Sequence, residues 1–391
     1  MSVWQEIKLG EVSEITSSKR IFYSDYVSEG IPFWRSKEVI EKFNRKKIST
    51  DLFITPEKYS EIKNRFGVPQ PNDILLTSVG TLGIPYLVED NEHFYFKDGN
   101  LTWIRNIDEQ RLSPQYLYKW LASQQGRDSL REITIGSTQE ALTIVGLKSL
   151  NLLLPPLPEQ KAIAAVLSSL DDKVDLLHRQ NQTLESLAAT LFRQWFVEEI
   201  QEGWEVRPLS SIANFLNGLA CQKHPPKNEL DKLPVLKIKE LSSGIYESSD
   251  FASSEIKPEY IVEAGDVIFA WSASLMVKVW GGERCVLNQH LFKVTSDEFP
   301  KWFYLMWCKH HLAEFISISA SHATTMGHIK RGDLDAAMVS VPSPEELKSM
   351  SEQMTSLLDK QISISKQIRT LETLRDNLLP KLMSGEVRVA A

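Results

Sequence analysis

The 391 residues comprise 42% hydrophobic and 24% charged side chains, with a formal net charge of -7. This length exceeds what one core usually holds and implies two or three domains, and the acidic balance excludes a protein that coats nucleic acid by bulk electrostatics. No apolar run approaches the roughly 20 residues of a membrane span. The N-terminus has no basic-then-apolar leader, and Cys221, Cys285 and Cys308 form no CxxC pair, so a cytoplasmic protein with buried thiols is expected.

From the N-terminus, the short runs "DILLTSV", "HFYF" and "LTWIR" read as strands and "SPQYLYKWLASQQGRDSLREI" as helix, a mixed α/β domain of about 150 residues. Basic pairs and clusters precede these elements: Lys19 and Arg20, Arg35 and Lys37, then Arg45, Lys46 and Lys47. The loops around "SVGTLG" and "IGSTQ" fall between the elements, where binding residues tend to sit.

Pro155, Pro156 and Pro158 then open a long helix, with Glu159 in its first turn. Its residues Ile163, Leu167, Leu170, Val174, Leu177, Asn181, Leu184, Ala188, Leu191 and Trp195 alternate steps of four and three, a heptad seam. Asn181 is the one polar member and is expected to fix register rather than to act in function.

After this helix the plan repeats. "WQEIKLGEV" at Trp4 returns as "WEVRPLSSI" at Trp204, "IPFWRSKEV" as "LPVLKIKEL", and "NDILLTSVGTLG" as "GDVIFAWSASLM". Strand-like "DVIFAW", "KVWGG" and "LFKVT" precede helical "FPKWFYLMWCKHHLAEFIS". A second seam, Met350, Met354, Leu357, Gln361, Ile364, Ile368, Leu371, Arg375, Leu378 and Leu382, keeps the phase of the first at an offset of 187. A compact domain between the two helices brings the end of one near the start of the other, which favours an antiparallel pair. Leu187, Phe192, Leu374 and Leu379 widen the stripe beyond what two helices require, so either the flanking domains or a helix of another chain covers it.

Catalytic signatures are missing. No GxxxxGK[ST] loop is present, and the Pro-Pro pairs "LLPPLP" and "KHPPKN" lack the neighbours an amino-methyltransferase needs. His310 and His311 lie on an amphipathic helix and make a poor metal pair.

Tandem α/β domains, each followed by a long helix, with "LPPLPEQKAIAAVL", the paired "TLESL" and "TLETL", "GSTQ" and the terminal "LMSGEVRV", resemble the specificity subunit of type I restriction-modification enzymes. The second half departs from the pattern, with "SVPSPEELKSM" and "SHATTMGHI" in the corresponding places. The resemblance implies a mixed α/β fold with two target recognition domains, residues 1–154 and 201–343, separated by antiparallel coiled-coil helices at 155–200 and, with the tail, 344–391. It further implies a non-catalytic reader of a two-part sequence in double-stranded DNA. The helices would set the gap and dock two modification subunits through Leu187, Phe192, Leu374 and Leu379. S-adenosylmethionine, ATP and Mg would be held by those subunits and by restriction subunits, with no cofactor or metal on this chain.

Such a reader needs bidentate side chains at base edges and cations on phosphates. The expected DNA contacts in the first domain are Lys19, Arg20, Arg35, Lys37, Arg45, Lys46, Lys47, Ser78, Thr81, Ser137, Thr138 and Gln139. In the second they are Lys223, His224, Lys237, Lys239, Ser272, His322, Thr324, Thr325 and Lys330. The rival reading is a coiled-coil scaffold whose twin domains hold protein or carbohydrate, consistent with the acidic charge.

Overall fold

A computed structural model describes residues 4–90, 92–136, 140–246, 248–321 and 327–389. The chain divides into two compact units, Met1–Asp172 with Thr373–Ala391, and Lys173–Glu372. These divisions cut through both long helices, so each unit owns a part of each helix. Among the described residues no helix is long and apolar enough to cross a membrane.

In the first unit Gln5–Lys8 pairs antiparallel with Asn151–Leu154, immediately before the first long helix. A four-stranded antiparallel sheet follows in the order Glu14–Thr16, Leu101–Arg105, Ile74–Thr77, Pro85–Leu87. Ile74, Leu76 and Ile104 from this sheet share a core with Tyr116, Leu117, Trp120 and Leu121 of the helix Pro114–Ala122. That helix has Pro at its first position and Ser113 as N-cap, the pairing that suits a helix start. A smaller sheet holds a parallel pair, Ile31–Trp34 with Tyr95–Phe96.

The second unit repeats this plan with Glu205–Pro208 on Met338–Val341 and the sheet Asn214–Asn217, Leu291–Thr295, Val267–Ala270, Met276–Val279. Its smaller sheet keeps the parallel pair, Lys232–Leu236 with Cys285–Leu287, but carries an outer strand, Ile261–Val262, on the Cys285–Leu287 side. In the first unit the outer strand Tyr26–Val27 lies beyond Phe53–Ile54 on the opposite side. The duplication therefore preserved the main sheet and let the edge of the smaller one vary.

The first long helix is Leu157–Arg193, extended by a π-helical segment Gln194–Glu198; the second is Pro344–Ser384. Every seam position named above is buried or half-buried. Within the second unit Val174 and Leu177 pack with Ile364 and Ile368, while Ala188 and Phe192 share a core with Met354 and Leu358, so the segments run antiparallel. Asn181 donates from Nδ2 to Ser365 Oγ at 3.0 Å, a polar contact within an apolar seam. Within the first unit Ile163, Ala164 and Leu167 pack with Leu382 and Met383 in the same sense.

The proline-led motif has a structural cause. Buried Gln160 accepts from Ser113 N (2.9 Å) and donates to Arg111 O (3.0 Å) and Pro155 O (2.9 Å), tying the start of the long helix to the start of Pro114–Ala122. Glu159 beside it holds Arg388 of the terminal "GEVRV", whose guanidinium lies 5.7 Å from the Trp4 ring. In the second half Glu346 occupies the place of Glu159 and accepts from Trp204 Nε1 at 3.1 Å.

Candidate nucleic-acid interface

Each unit ends its main sheet in a polar rim built from the same backbone contacts. In the first unit Ser78 N donates to Asn100 O (2.9 Å), Leu142 N donates to Ser78 O (3.0 Å), and Val79 bridges to Ala141. In the second, Trp271 N donates to His290 O (3.4 Å), Ile329 N to Trp271 O (3.1 Å), and Ser272 bridges to His328. Both rims also use a left-handed residue just beyond, Gly80 at φ 81° and Ala273 at φ 56°. Glycine takes that conformation freely, whereas alanine adopts it under strain.

On this shared frame the side chains differ. The second rim carries a half-buried Trp271 that donates from Nε1 to Asn217 Oδ1 (3.1 Å) and stacks on Phe292, with His290 and His328 rings 5.9 and 6.3 Å away. The first presents Thr81, exposed; elsewhere in the same unit Arg20 lies on Asp98 at 3.5 Å. Asn217, Trp271, His290 and His328 are not among the expected contacts. The signal that finds them is the repeat itself: Ser78 aligns with Trp271, and Asn100 and Ala141 are matched by His290 and His328.

Of the expected basic contacts, Lys19, Arg20, Lys37, Arg45, Lys46, Lys47, Lys223, Lys239 and Lys330 are exposed, as is His224. Lys19 Nζ lies 4.9 Å over the Phe66 ring and Lys239 Nζ 5.1 Å over that of Tyr246, and Lys37 Nζ donates to Ser49 O at 2.9 Å. Arg35 is turned inward, donating to Glu38 at 2.9 Å and pairing with Asp51. Lys237 is paired with Asp250. Arg45 donates to Asp171 on the first long helix at 2.7 Å, so it anchors its loop as well as charging it.

Three expected residues are corrected. Ser78 is 3% exposed and spends its hydroxyl on Leu76 O and Thr102 Oγ1, because it completes the sheet rather than the surface. Ser272 is likewise buried, its Oγ 3.2 Å from His290 Nδ1. Phe192 is not part of an open stripe: it is 3% exposed and meets Trp307 edge-on at 5.0 Å, since the helix Lys301–His310 covers it. Leu187 and Leu374 remain 45% exposed, and Leu379 is half-buried. Ser137, Thr138, Gln139, His322, Thr324 and Thr325 lie outside the described residues.

The segment bearing Lys223 and His224 is held by one carboxylate. Asp231 accepts from Lys227 N (3.1 Å), Ser253 Oγ, Ser254 N and Ser254 Oγ (each 2.9 Å), while Ser253 N donates to His224 O at 2.8 Å. The Lys227 N–H, aided by Ser253 and Ser254, lowers the Asp231 carboxyl to about 2. Because the folded value lies below the unfolded one, this carboxylate stabilises the fold above the ordinary Asp value near 3.9, and the stabilisation is lost as pH falls towards about 2. Asp231→Asn is therefore expected to be less stable than the parent at neutral pH, with the difference closing in acid; a constant difference across an acid titration would contradict the assignment.

A family profile described as type I restriction modification DNA specificity domain matches twice, over residues 1–186 and 201–373. The chain is 27% identical to the type I restriction enzyme MjaIX specificity subunit of Methanocaldococcus jannaschii, over 99% of this chain and 94% of that one. It is 20% identical to the HindI specificity subunit of Haemophilus influenzae, over 99% and 100%. The crystal structure of the type I restriction-modification S subunit from M. genitalium superposes with a TM-score of 0.60 at 16% identity, covering 97% of this chain and 96% of that one, which shows a shared fold. These likenesses support the specificity reading and give the scaffold reading no support.

Proposed function

The chain belongs to the type I restriction-modification DNA specificity family, and from that premise we propose that each rim reads one half of a two-part DNA target. Phosphate contacts come from the exposed lysines and arginines of each unit, which position the duplex, and base discrimination comes from the differing rim side chains. The carrying observation is one backbone frame, formed twice, bearing Thr81 in one unit and Trp271, His290 and His328 in the other. The chain itself is non-catalytic and acts in the cytoplasm with two modification subunits, which supply S-adenosylmethionine chemistry, and with restriction subunits that use ATP and Mg. The exposed Leu187 of the second unit and Leu374 of the first are offered as two separate apolar contacts for those partners, each left uncovered by folding.

Exchanging residues 1–150 for the equivalent segment of a relative tests this reading. In a host expressing the assembled methyltransferase, methylome sequencing is expected to show one half-site changed and the other intact. A change in both halves would mean that the units do not read independently. The purified chain alone is expected to transfer no labelled methyl group; robust turnover without a partner would place catalysis here.

A further inference from the structure

The duplication makes certain positions equivalent, and at the helix pair their chemistry differs. In the first unit Asp171 of the first long helix accepts from Arg375 of the second at 3.0 Å, from Lys119 of Pro114–Ala122 at 2.6 Å and from Arg45 at 2.7 Å. Burial alone would push the Asp171 carboxyl up, but Lys119 and Arg375 hold it below its ordinary range. At the offset of 187, the equivalents of Asp171, Arg375 and Lys119 are Leu358, Ala188 and Met306. All three are buried in one apolar cluster of the second unit. The Asn181–Ser365 hydrogen bond is likewise not repeated, its equivalents being buried Ile368 and exposed His178.

Each helix thus carries one charged and one apolar residue at these matching positions: Asp171 and Ala188 on the first, Arg375 and Leu358 on the second. Paired with each other, a carboxylate meets a guanidinium and Ala188 faces Leu358. Paired with a copy of itself in the same antiparallel register, the second helix would set Arg375 against Leu358, and the first would set Asp171 against Ala188. A half-buried charge that loses its partner to an apolar neighbour is destabilised. Apart from Gln361, the rest of the two seams is apolar in the same phase and would pack either way.

We propose that Asp171, Arg375 and Asn181 form a pairing code, by which the seam surface of each long helix accepts the other helix and rejects a second copy of itself. The duplication creates the need, because two similar seams invite homotypic association unless something opposes it. Discrimination falls chiefly on Arg375. In a homotypic pair Asp171 keeps Lys119 and Arg45, whereas Arg375 keeps, among the described residues, Asp376 of its own helix, at 2.8 Å. An exchange between two chains that preserves first-with-second pairing is not opposed by this device.

The test uses the full chain. Arg375→Ala removes the cross-helix cation and leaves Asp171 two partners; sedimentation velocity over a wide concentration range is expected to show self-association about tenfold stronger than the parent, equivalent to about 1.4 kcal/mol. The triple variant Asp171→Leu, Lys119→Met, Arg375→Ala copies the second unit's residues and is expected to associate at least as strongly with its helix content retained. Asp376→Asn, which touches the same guanidinium outside the seam, should match the parent. Gln367→Cys added to Arg375→Ala lies near the symmetry point of a homotypic second-helix pair and should cross-link two chains, the native thiols being buried. Folded variants that associate no more than the parent, or association without that cross-link, would overturn the proposal. Unfolding of one variant leaves the other to decide by the same comparison. Unfolding of both would also overturn it, because the second unit folds with apolar residues at these positions.

Discussion

Phe196→Ala is expected to destabilise the second unit by about 3–5 kcal/mol, the range for truncating a large aromatic in a packed core. Phe196 is 3% exposed and sits in the π-helical segment Gln194–Glu198 that ends the first long helix. Its ring meets Phe192 at 4.8 Å, Trp204 at 5.2 Å, Trp307 at 5.4 Å and Phe303 at 5.8 Å. These partners come from the long helix, the unit's first strand region and the helix Lys301–His310, so they cannot all move inward to fill the void. The measurement is the urea midpoint with the slope unchanged. Val197→Ala, at an exposed neighbour, is the control and should stay within about 0.5 kcal/mol. A shift below about 1 kcal/mol for Phe196→Ala would show that the site collapses, and that the aromatic nest does not anchor the helix.

Lengthening both long helices by one heptad is expected to widen the gap between the half-sites without changing either sequence. The first helix passes continuously from one unit to the other, as does the second. Seven residues restore the phase of the seam. The observed register places the insertions after Leu177 and after Ile368, which lie in one apolar cluster, so that both Asn181–Ser365 and Asp171–Arg375 survive. Each helix gains roughly 10 Å. At about 3.4 Å of duplex per base pair, the gap should grow by about two to three base pairs, less if the helices lie oblique to the DNA. Twist also rotates one half-site about the duplex, so activity can fall even as the gap shifts. Methylome sequencing reads the result, and an active enzyme that keeps its original gap would show that the helices do not set it.

The sequence by itself determined the periodic and the repeated features of this protein. An unbroken heptad can bury itself only along one helical face, which is why none of the seam residues from Ile163 to Trp195 is exposed. The strands Gln5–Lys8 and Glu205–Pro208 stand at the offset of 200 that "WQEIKLGEV" and "WEVRPLSSI" share. Tertiary structure alone decided what covers each face. Phe192 and Leu187 look equivalent on a helical stripe, yet the helix Lys301–His310 arrives from more than a hundred residues away to bury one and leave the other open. Arg45 reads as one of three surface cations until Asp171, distant in sequence, pairs with its guanidinium while leaving the residue exposed. Ser78 and Ser272 read as loop hydroxyls until Thr102 and His290 close over them. Trp271 reads as a strand residue until His290 and His328 are brought to its rim by other segments. Periodicity reports a residue's neighbours three and four positions away, whereas burial, charge pairing and the composition of a rim depend on contacts between segments far apart in the chain, which only the folded arrangement supplies.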